Sequence, residues 1–188
     1  MFDFPAFYLS MANRLPPGAV IAEVGVAEGA SAIFLAEALL NLGKRFTLYL
    51  VDNLSYGNDF QLRTLLKNIC GASIGNWVEV VPVPSVEAAC RFPDNHFDFV
   101  FIDASHKFEW TKADITLWYQ KIKFGAILAG HDYNDKEGTE VKMAVDLIIP
   151  KEATYDGVTF KTFEVVNTDQ GYNIWKVKKQ PHLTLRTF

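Results

Sequence analysis

The stretch FDFVFI, Phe97 to Ile102, constrains the fold more than any other part of the chain. Its interior, FVFI, is apolar at consecutive positions, so both faces of the strand need cover. A strand with one wet face alternates apolar and polar residues. A strand apolar on both faces sits inside a parallel sheet with helices above and below it. The rest of the chain supplies those layers. GAVIAEVG, RFTLYLVD, WVEVVPVPS and GAILAGHDY read as further short strands. SAIFLAEALLNLG, NDFQLRTLLKNICG, SVEAACRF, EWTKADITLWYQKI and residues 139–149 read as helices between them.

Local signals sharpen this pattern. Gly43 and Gly71 stop the first two helices, and Ser85 is placed to cap the third. Leu62, Leu65, Leu66 and Ile69 share a helical face, as do Ile115, Trp118 and Ile122. Pro82 and Pro84 make the third strand bent or edge-placed. At the end of the chain TFKTFEVVN, the turn TDQG and YNIWKVKK predict an antiparallel hairpin. The expected class is α/β: a Rossmann-like, doubly wound, mostly parallel sheet with a C-terminal antiparallel hairpin and helices on both faces. With 188 residues and no repeat or linker, one domain over residues 1–188 is expected, residues 1–18 being an N-terminal helical or lid segment.

Composition narrows the partners. Net charge is −4, which gives no field attracting nucleic acid or an anionic membrane, and neither is expected as a partner. The one basic cluster, Lys176, Lys178 and Lys179, reads as a solvated terminal strand. Cys70 and Cys90 lack a metal or disulfide pattern and sit among apolar neighbours. They read as buried thiols in a reducing, cytoplasmic setting. No apolar run reaches membrane-spanning length, and the first 18 residues lack the basic start of a signal peptide. Phe2, Phe4, Phe7 and Tyr8 form either a lid, a homodimer contact or the core face of an extra helix.

Ligands of doubly wound sheets lie outside the carboxyl ends of the strands. The loops to read therefore follow Val24, Val51, Val83, Ile102 and Ala129. The first contains AEVGVAEGAS, a glycine loop between strand and helix. It is neither a P-loop nor a dinucleotide fingerprint, because Gly25, Ala27 and Gly29 have the wrong spacing. A pyrophosphate there would also meet Glu23 and Glu28. S-adenosylmethionine, which carries a sulfonium and an ammonium and no phosphate, suits the acids better. Gly25 and Gly29 let the backbone approach closely, and Ser31 at the helix start can hold the ligand carboxylate. Asp52, at the end of the second strand, either accepts both ribose hydroxyls or serves as a turn residue before Asn53. Glu28 faces either the ligand or water.

A second constellation leaves the next two strands. Asp103 and His106 follow one, and His131 and Asp132 end the other. Such clusters mark sites. Methyl transfer to a hydroxyl needs alignment and a proton acceptor, for which His106 or His131 is the candidate. Alternatively Asp103, His131 and Asp132 hold a divalent metal that acidifies the acceptor. Tyr119 and Lys123 imitate the Y-x-x-x-K pair of short-chain dehydrogenases, but the pair is expected on the exposed side of its helix, and the glycine loop is wrong for that family.

These residues resemble the class I S-adenosylmethionine-dependent methyltransferases over nearly the whole chain. FIDASHKFE, GAILAGHDY and VKMAVD resemble the small-molecule and sugar O-methyltransferase group, methyltransferase family 24 among them. The resemblance implies a seven-stranded sheet with a reversed last strand. It implies cofactor contacts at Glu23, Gly25, Val26, Ala27, Gly29, Ser31, Asp52 and Asn53. It further places adenine near Ser85 and Val86, and the active face at Asp103. Related sugar O-methyltransferases hold a divalent metal at positions matching Asp103 and Asp132. Two departures stand out: Ser105 replaces the second Asp of D-G-D, and His131 replaces an acid of some relatives. The expected activity is O-methylation of a small-molecule hydroxyl, on a sugar or secondary metabolite. The alternatives are a cofactor-binding protein of this fold without transfer activity, and an NAD-dependent oxidoreductase.

Overall fold

The computed structural model describes residues 2–54, 59–134, 140–168 and 170–186. Five parallel strands carry the fold: β1 (Ala19–Val24), β2 (Phe46–Val51), β3 (Val78–Val81), β4 (Phe97–Ile102) and β5 (Ile122–Gly130). The helices are α1 (Pro5–Arg14), α2 (Ala30–Asn41), α3 (Asp59–Gly71), α4 (Ser85–Arg91), α5 (Phe108–Lys121) and α6 (Val141–Ile148). Then come β6 (Glu152–Tyr155), β7 (Val158–Lys161), β8 (Phe163–Val166) and β9 (Ile174–Lys178). Among the described residues the main sheet has seven strands in the order β3-β2-β1-β4-β5-β9-β8, with β9 antiparallel to both neighbours.

Both faces of FVFI are covered, residue by residue. Phe99 and Phe101 of β4 join the core beneath α1, α2 and α3, while Val100 and Ile102 join the core beneath α4, α5 and α6. Alternate side chains of one strand thus feed two cores, which is what continuous apolarity requires. Strand β3 is the sheet edge and stops at Val81, one residue before Pro82, where the missing N–H would break a ladder. α2 ends beside Gly43, which takes the left-handed conformation with φ of 67°.

Several local expectations are corrected. The C-terminal hairpin is β8 with β9. Thr159 to Lys161 belongs instead to a separate two-stranded sheet with β6, the chain breaking at Thr162. Asp169 of the TDQG turn, Thr139 at the start of the expected last helix, and Asn58 lie outside the described residues. Ser85 is not the cap of α4 but its first residue, and its hydroxyl is used elsewhere. Leu66 is exposed, its place on the buried face taken by Gln61. Cys70 and Cys90 are free and exposed, because each falls on the outer side of its helix. Lys179 is not solvated. It is buried, and its ammonium donates to Asn95 Oδ1 and the carbonyls of Gln120 and Ile122, tying β9 to the β4–β5 end of the sheet. Tyr119 is also buried, with its hydroxyl on the Leu183 carbonyl, whereas Lys123 lies in β5 paired to Asp98. The Y-x-x-x-K pair therefore does not share a helix. Among the described residues no helix is long and apolar enough to cross a membrane.

Candidate active site

The carboxyl ends of β1, β2 and β4 open onto a cavity of about 830 Å³, a volume suited to a cofactor-sized ligand. The main chain is drawn tight here. The Gly25 amide donates to the Val51 carbonyl at 2.8 Å, and the Asp103 amide donates to the Val24 carbonyl at 2.7 Å. This closeness explains Gly25. A Cβ on it would stand 2.1 Å from the Asp103 carbonyl oxygen, so the glycine admits the β4 exit before it admits any ligand. Gly29 has φ of 86°, and a Cβ there would meet Leu65 at 2.6 Å. Between them Ala27 takes a left-handed φ of 46°, a strained choice for a residue with a side chain.

The acids at the ends of the first two strands are held differently. Glu23 is 1% exposed and is not among the cavity-lining residues. Its carboxylate accepts hydrogen bonds from Tyr8 Oη at 2.9 Å and from Ser31 Oγ, joining α1 and α2 beneath the loop. Burial pushes its carboxyl up to about 7, and the two hydrogen bonds only partly oppose this. In this arrangement Glu23 supports the loop from behind. Asp52 lines the cavity, and its carboxylate clamps the glycine loop. Oδ2 accepts the amides of Val26 and Ala27, both at 3.0 Å, and Oδ1 accepts the Leu54 amide at 2.7 Å. Val26, Ala27, Ser31, Asn53, Ser85 and Val86 also line the cavity, and exposed Glu28 stands on its rim.

The second constellation does come together. His106 Nε2 lies 2.9 Å from Asp132 Oδ2 and 3.8 Å from Asp103 Oδ1. His131 Nδ1 faces the same two carboxylates, Asp103 at 3.9 Å and Asp132 at 3.5 Å. Its Nε2 is hydrogen-bonded to Asp3 Oδ1 at 2.9 Å, while the Thr168 hydroxyl donates to the other oxygen of Asp3. The carboxylates of Asp103 and Asp132 push His106 up to about 10. Burial opposes protonation of His131, yet the acids around it raise it, and the two imidazoles hold Asp132 below the ordinary carboxylate range. A histidine that keeps its proton at neutral pH is a poor general base, so His106 serves as the cation of the cluster. Asp103 is the member that also lines the cavity. Asp132 has φ of 60°, backbone strain of the kind that collects at functional sites.

The ligating atoms of Asp103, His131 and Asp132 all lie within 4.8 Å of one another, close enough to share one ion. His106 stands between the same two acids, at 2.9 Å from Asp132 and 3.8 Å from Asp103. Ser105 offers its hydroxyl to the Lys107 amide and its carbonyl to Thr111, which makes it a turn residue at the start of α5.

Further residues complete the wall. Phe2 and Phe4 wall the cavity, while Phe4, Phe7 and Tyr8 are buried in the core. The N-terminal aromatics therefore serve core and wall. Trp110 lines the cavity and is exposed. Asp114 is buried, is pushed up to about 6 by burial, and accepts a hydrogen bond from Ser85 Oγ, which in turn accepts from Trp118 Nε1. Gln61 also lines the cavity. Helical spacing marks Gln61 and Asp114 only as polar residues on buried faces, a signal legible in hindsight.

The model of a methyltransferase-domain family matches residues 22–133, well over half of the chain. No curated protein matches the chain. Solved structures share the fold. An O-methyltransferase from Bacillus cereus in complex with S-adenosylhomocysteine is 21% identical, with a TM-score of 0.64 over 93% of this chain and 80% of that one. An rRNA methylase from Streptococcus thermophilus is 14% identical, with a TM-score of 0.63 over 96% of this chain and 99% of that one. An S-adenosylmethionine-dependent O-methyltransferase from Thermotoga maritima is 15% identical, with a TM-score of 0.61 over 94% of this chain and 64% of that one. A matching family model, the strand order of this sheet and a cofactor-sized cavity at its carboxyl ends lead to one conclusion: the chain belongs to the S-adenosylmethionine-dependent methyltransferases.

Proposed function

We propose that the protein methylates a hydroxyl group of a small molecule, with S-adenosylmethionine in the cavity between the glycine loop and Asp103. The observation that carries this reading is the double membership of Asp103, which is both a cavity wall and part of the His106–His131–Asp132 cluster. In this reading the loop at Gly25–Gly29 with Ser31 faces the methionyl end, Asp52 and Asn53 face the ribose, and Ser85 and Val86 face adenine. Residues 1–188 act as one catalytic domain, with residues 2–4 strapped across the site by the Asp3–His131 bond.

S-adenosylmethionine, when bound, would supply an electrophilic methyl group and keep the sulfur electron pair as a thioether, and an acceptor hydroxyl taking up that methyl would gain positive charge. Its proton then becomes strongly acidic, so the Asp103 carboxylate can accept it without an elevated basicity. The protonated His106 and the buried His131 hold Asp103 and Asp132 in place. Alignment supplies much of the rate. The test is turnover on a panel of sugar and phenolic hydroxyls with radiolabelled S-adenosylmethionine. Asp103→Asn should lower kcat by about 10²-fold or more while changing S-adenosylhomocysteine affinity only a few-fold. Wild-type kcat in that variant refutes the role.

Two finer points attach to this reading. If a divalent ion is used, Asp103, His131 and Asp132 would hold it, and it would acidify the acceptor hydroxyl. Activity lost to a chelator and restored by one metal is the check. An RNA acceptor is suggested by the rRNA methylase among the structural neighbours. The net charge of −4 and the acids Glu28, Asp52, Asp103 and Asp114 around the cavity oppose a phosphate backbone. The two exposed free thiols fit a reducing compartment such as the cytoplasm.

A further inference from the structure

His131 is held at both ring nitrogens and by two aromatic rings, and much of that grip comes from distant sequence. The Phe4 ring packs against its imidazole with centroids 4.9 Å apart, and the Tyr172 ring stacks on it at 6.0 Å. Nδ1 faces Asp132 at 3.5 Å and Asp103 at 3.9 Å. Nε2 meets Asp3 Oδ1 at 2.9 Å, and the Thr168 hydroxyl donates to Asp3 Oδ2 at 3.0 Å. The Asp3 side chain is 3% exposed. A buried acid needs partners, and this one has both oxygens engaged. Asp3, Phe4, Thr168 and Tyr172 all lie outside residues 22–133, the matched methyltransferase domain. The start of the chain and the turn between β8 and β9 thus grip a histidine of that domain from outside it.

An imidazole is nearly symmetric in shape, so packing alone does not decide which way round it sits. A half-turn about the Cβ–Cγ bond exchanges Nδ1 with Cδ2 and Nε2 with Cε1. Flipped, the ring would turn a C–H bond toward Asp103 and Asp132. A carboxylate only accepts, so the bond to Asp3 requires a nitrogen that carries hydrogen at that corner of the ring. Thr168 in turn holds Asp3. We propose that Asp3 is a positioning residue of the methyl transfer: it keys His131 so that Nδ1, and not a carbon, faces the carboxylates of Asp103 and Asp132. This rests on the reading of Asp103 as the group that meets the acceptor hydroxyl. A keyed ring holds the two acids in one arrangement, and a misplacement of about 1 Å in such a site can cost about 100-fold in rate.

Protein labelled with ¹⁵N at its four histidines tests this by NMR, with no acceptor needed. Wild type should show an Nε2-bound proton that exchanges slowly with water and vanishes in His131→Gln. Asp3→Asn keeps an acceptor oxygen and should keep that proton. Asp3→Leu, close in size, has no acceptor, and the proton should exchange at least about tenfold faster, the loss of one good hydrogen bond. Should Asp3→Leu not fold, Thr168→Val frees Asp3 Oδ2 and should also speed the exchange. On any acceptor that the hydroxyl panel yields, Asp3→Leu should lower kcat about tenfold or more and leave KM for S-adenosylmethionine within about threefold. Asp3→Asn should keep most of the wild-type kcat. A proton that stays slow in Asp3→Leu or Thr168→Val overturns the keying. Wild-type kcat in folded Asp3→Leu reduces Asp3 to a tether and overturns the positioning role. If no hydroxyl turns over and S-adenosylhomocysteine does not bind, the functional reading falls, whereas the imidazole proton of the free protein still decides the keying.

Discussion

Replacing Glu23 with glutamine gives the sharpest test of how the glycine loop is supported. Glu23 is buried and holds Tyr8 and Ser31, with its carboxyl pushed from 4.5 up to about 7. In the unfolded chain it titrates at its ordinary value. A carboxyl raised in the folded state favours folding most when protonated. Its contribution is fully present below about pH 4.5 and is lost as pH rises through about 7. A shift of this size amounts to about 3 kcal/mol, of which about 2.5 kcal/mol falls between pH 5 and pH 8. The glutamine would keep an acceptor for one hydroxyl and cannot ionise. The stability of Glu23→Gln relative to wild type should therefore rise by about 2.5 kcal/mol from pH 5 to pH 8. Urea unfolding of both proteins at half-unit pH steps measures this, and the subtraction cancels Asp114 and the other titrating groups. Parallel stability curves for the two proteins would refute the reasoning, since they would mean that Glu23 is ionised in the folded protein across the whole range.

Other outcomes follow from the same geometry. Gly25→Ala should destabilise by at least about 3 kcal/mol in denaturant unfolding, because its Cβ would stand 2.1 Å from backbone oxygen that cannot move without breaking the Asp103–Val24 bond. Ala27→Gly should leave stability unchanged or raise it by up to about 1 kcal/mol, through relief of the left-handed φ, and a clear loss would show that the strain is not there. S-adenosylhomocysteine at 100 times its dissociation constant should add about 2.7 kcal/mol, a rise in Tm of roughly 5–11 °C, which NAD should not reproduce. Asp3→Asn should weaken the N-terminal strap, seen as faster amide exchange in residues 2–4 with the sheet amides unchanged.

The sequence by itself determined the layered sheet. Apolarity on both faces of FVFI demands helices on both sides, and Pro82 ends the third strand; both are local properties that no tertiary detail alters. It also determined which loops meet, because the carboxyl ends of parallel strands share one rim. Tertiary structure decided what each side chain does there. Whether Glu23 faces a ligand or Tyr8 depends on α1, which precedes it by a whole element. Whether His131 is free depends on Asp3, 128 positions away. Whether Asp52 has acceptors to spare depends on where three amides of two loops point. Gly25 gives clearance to the neighbouring strand exit, and Gly29 gives it to Leu65 of α3. Spacing along a chain fixes which residues reach the rim, but hydrogen-bond capacity is allotted among all groups that arrive there, and most of them come from distant sequence.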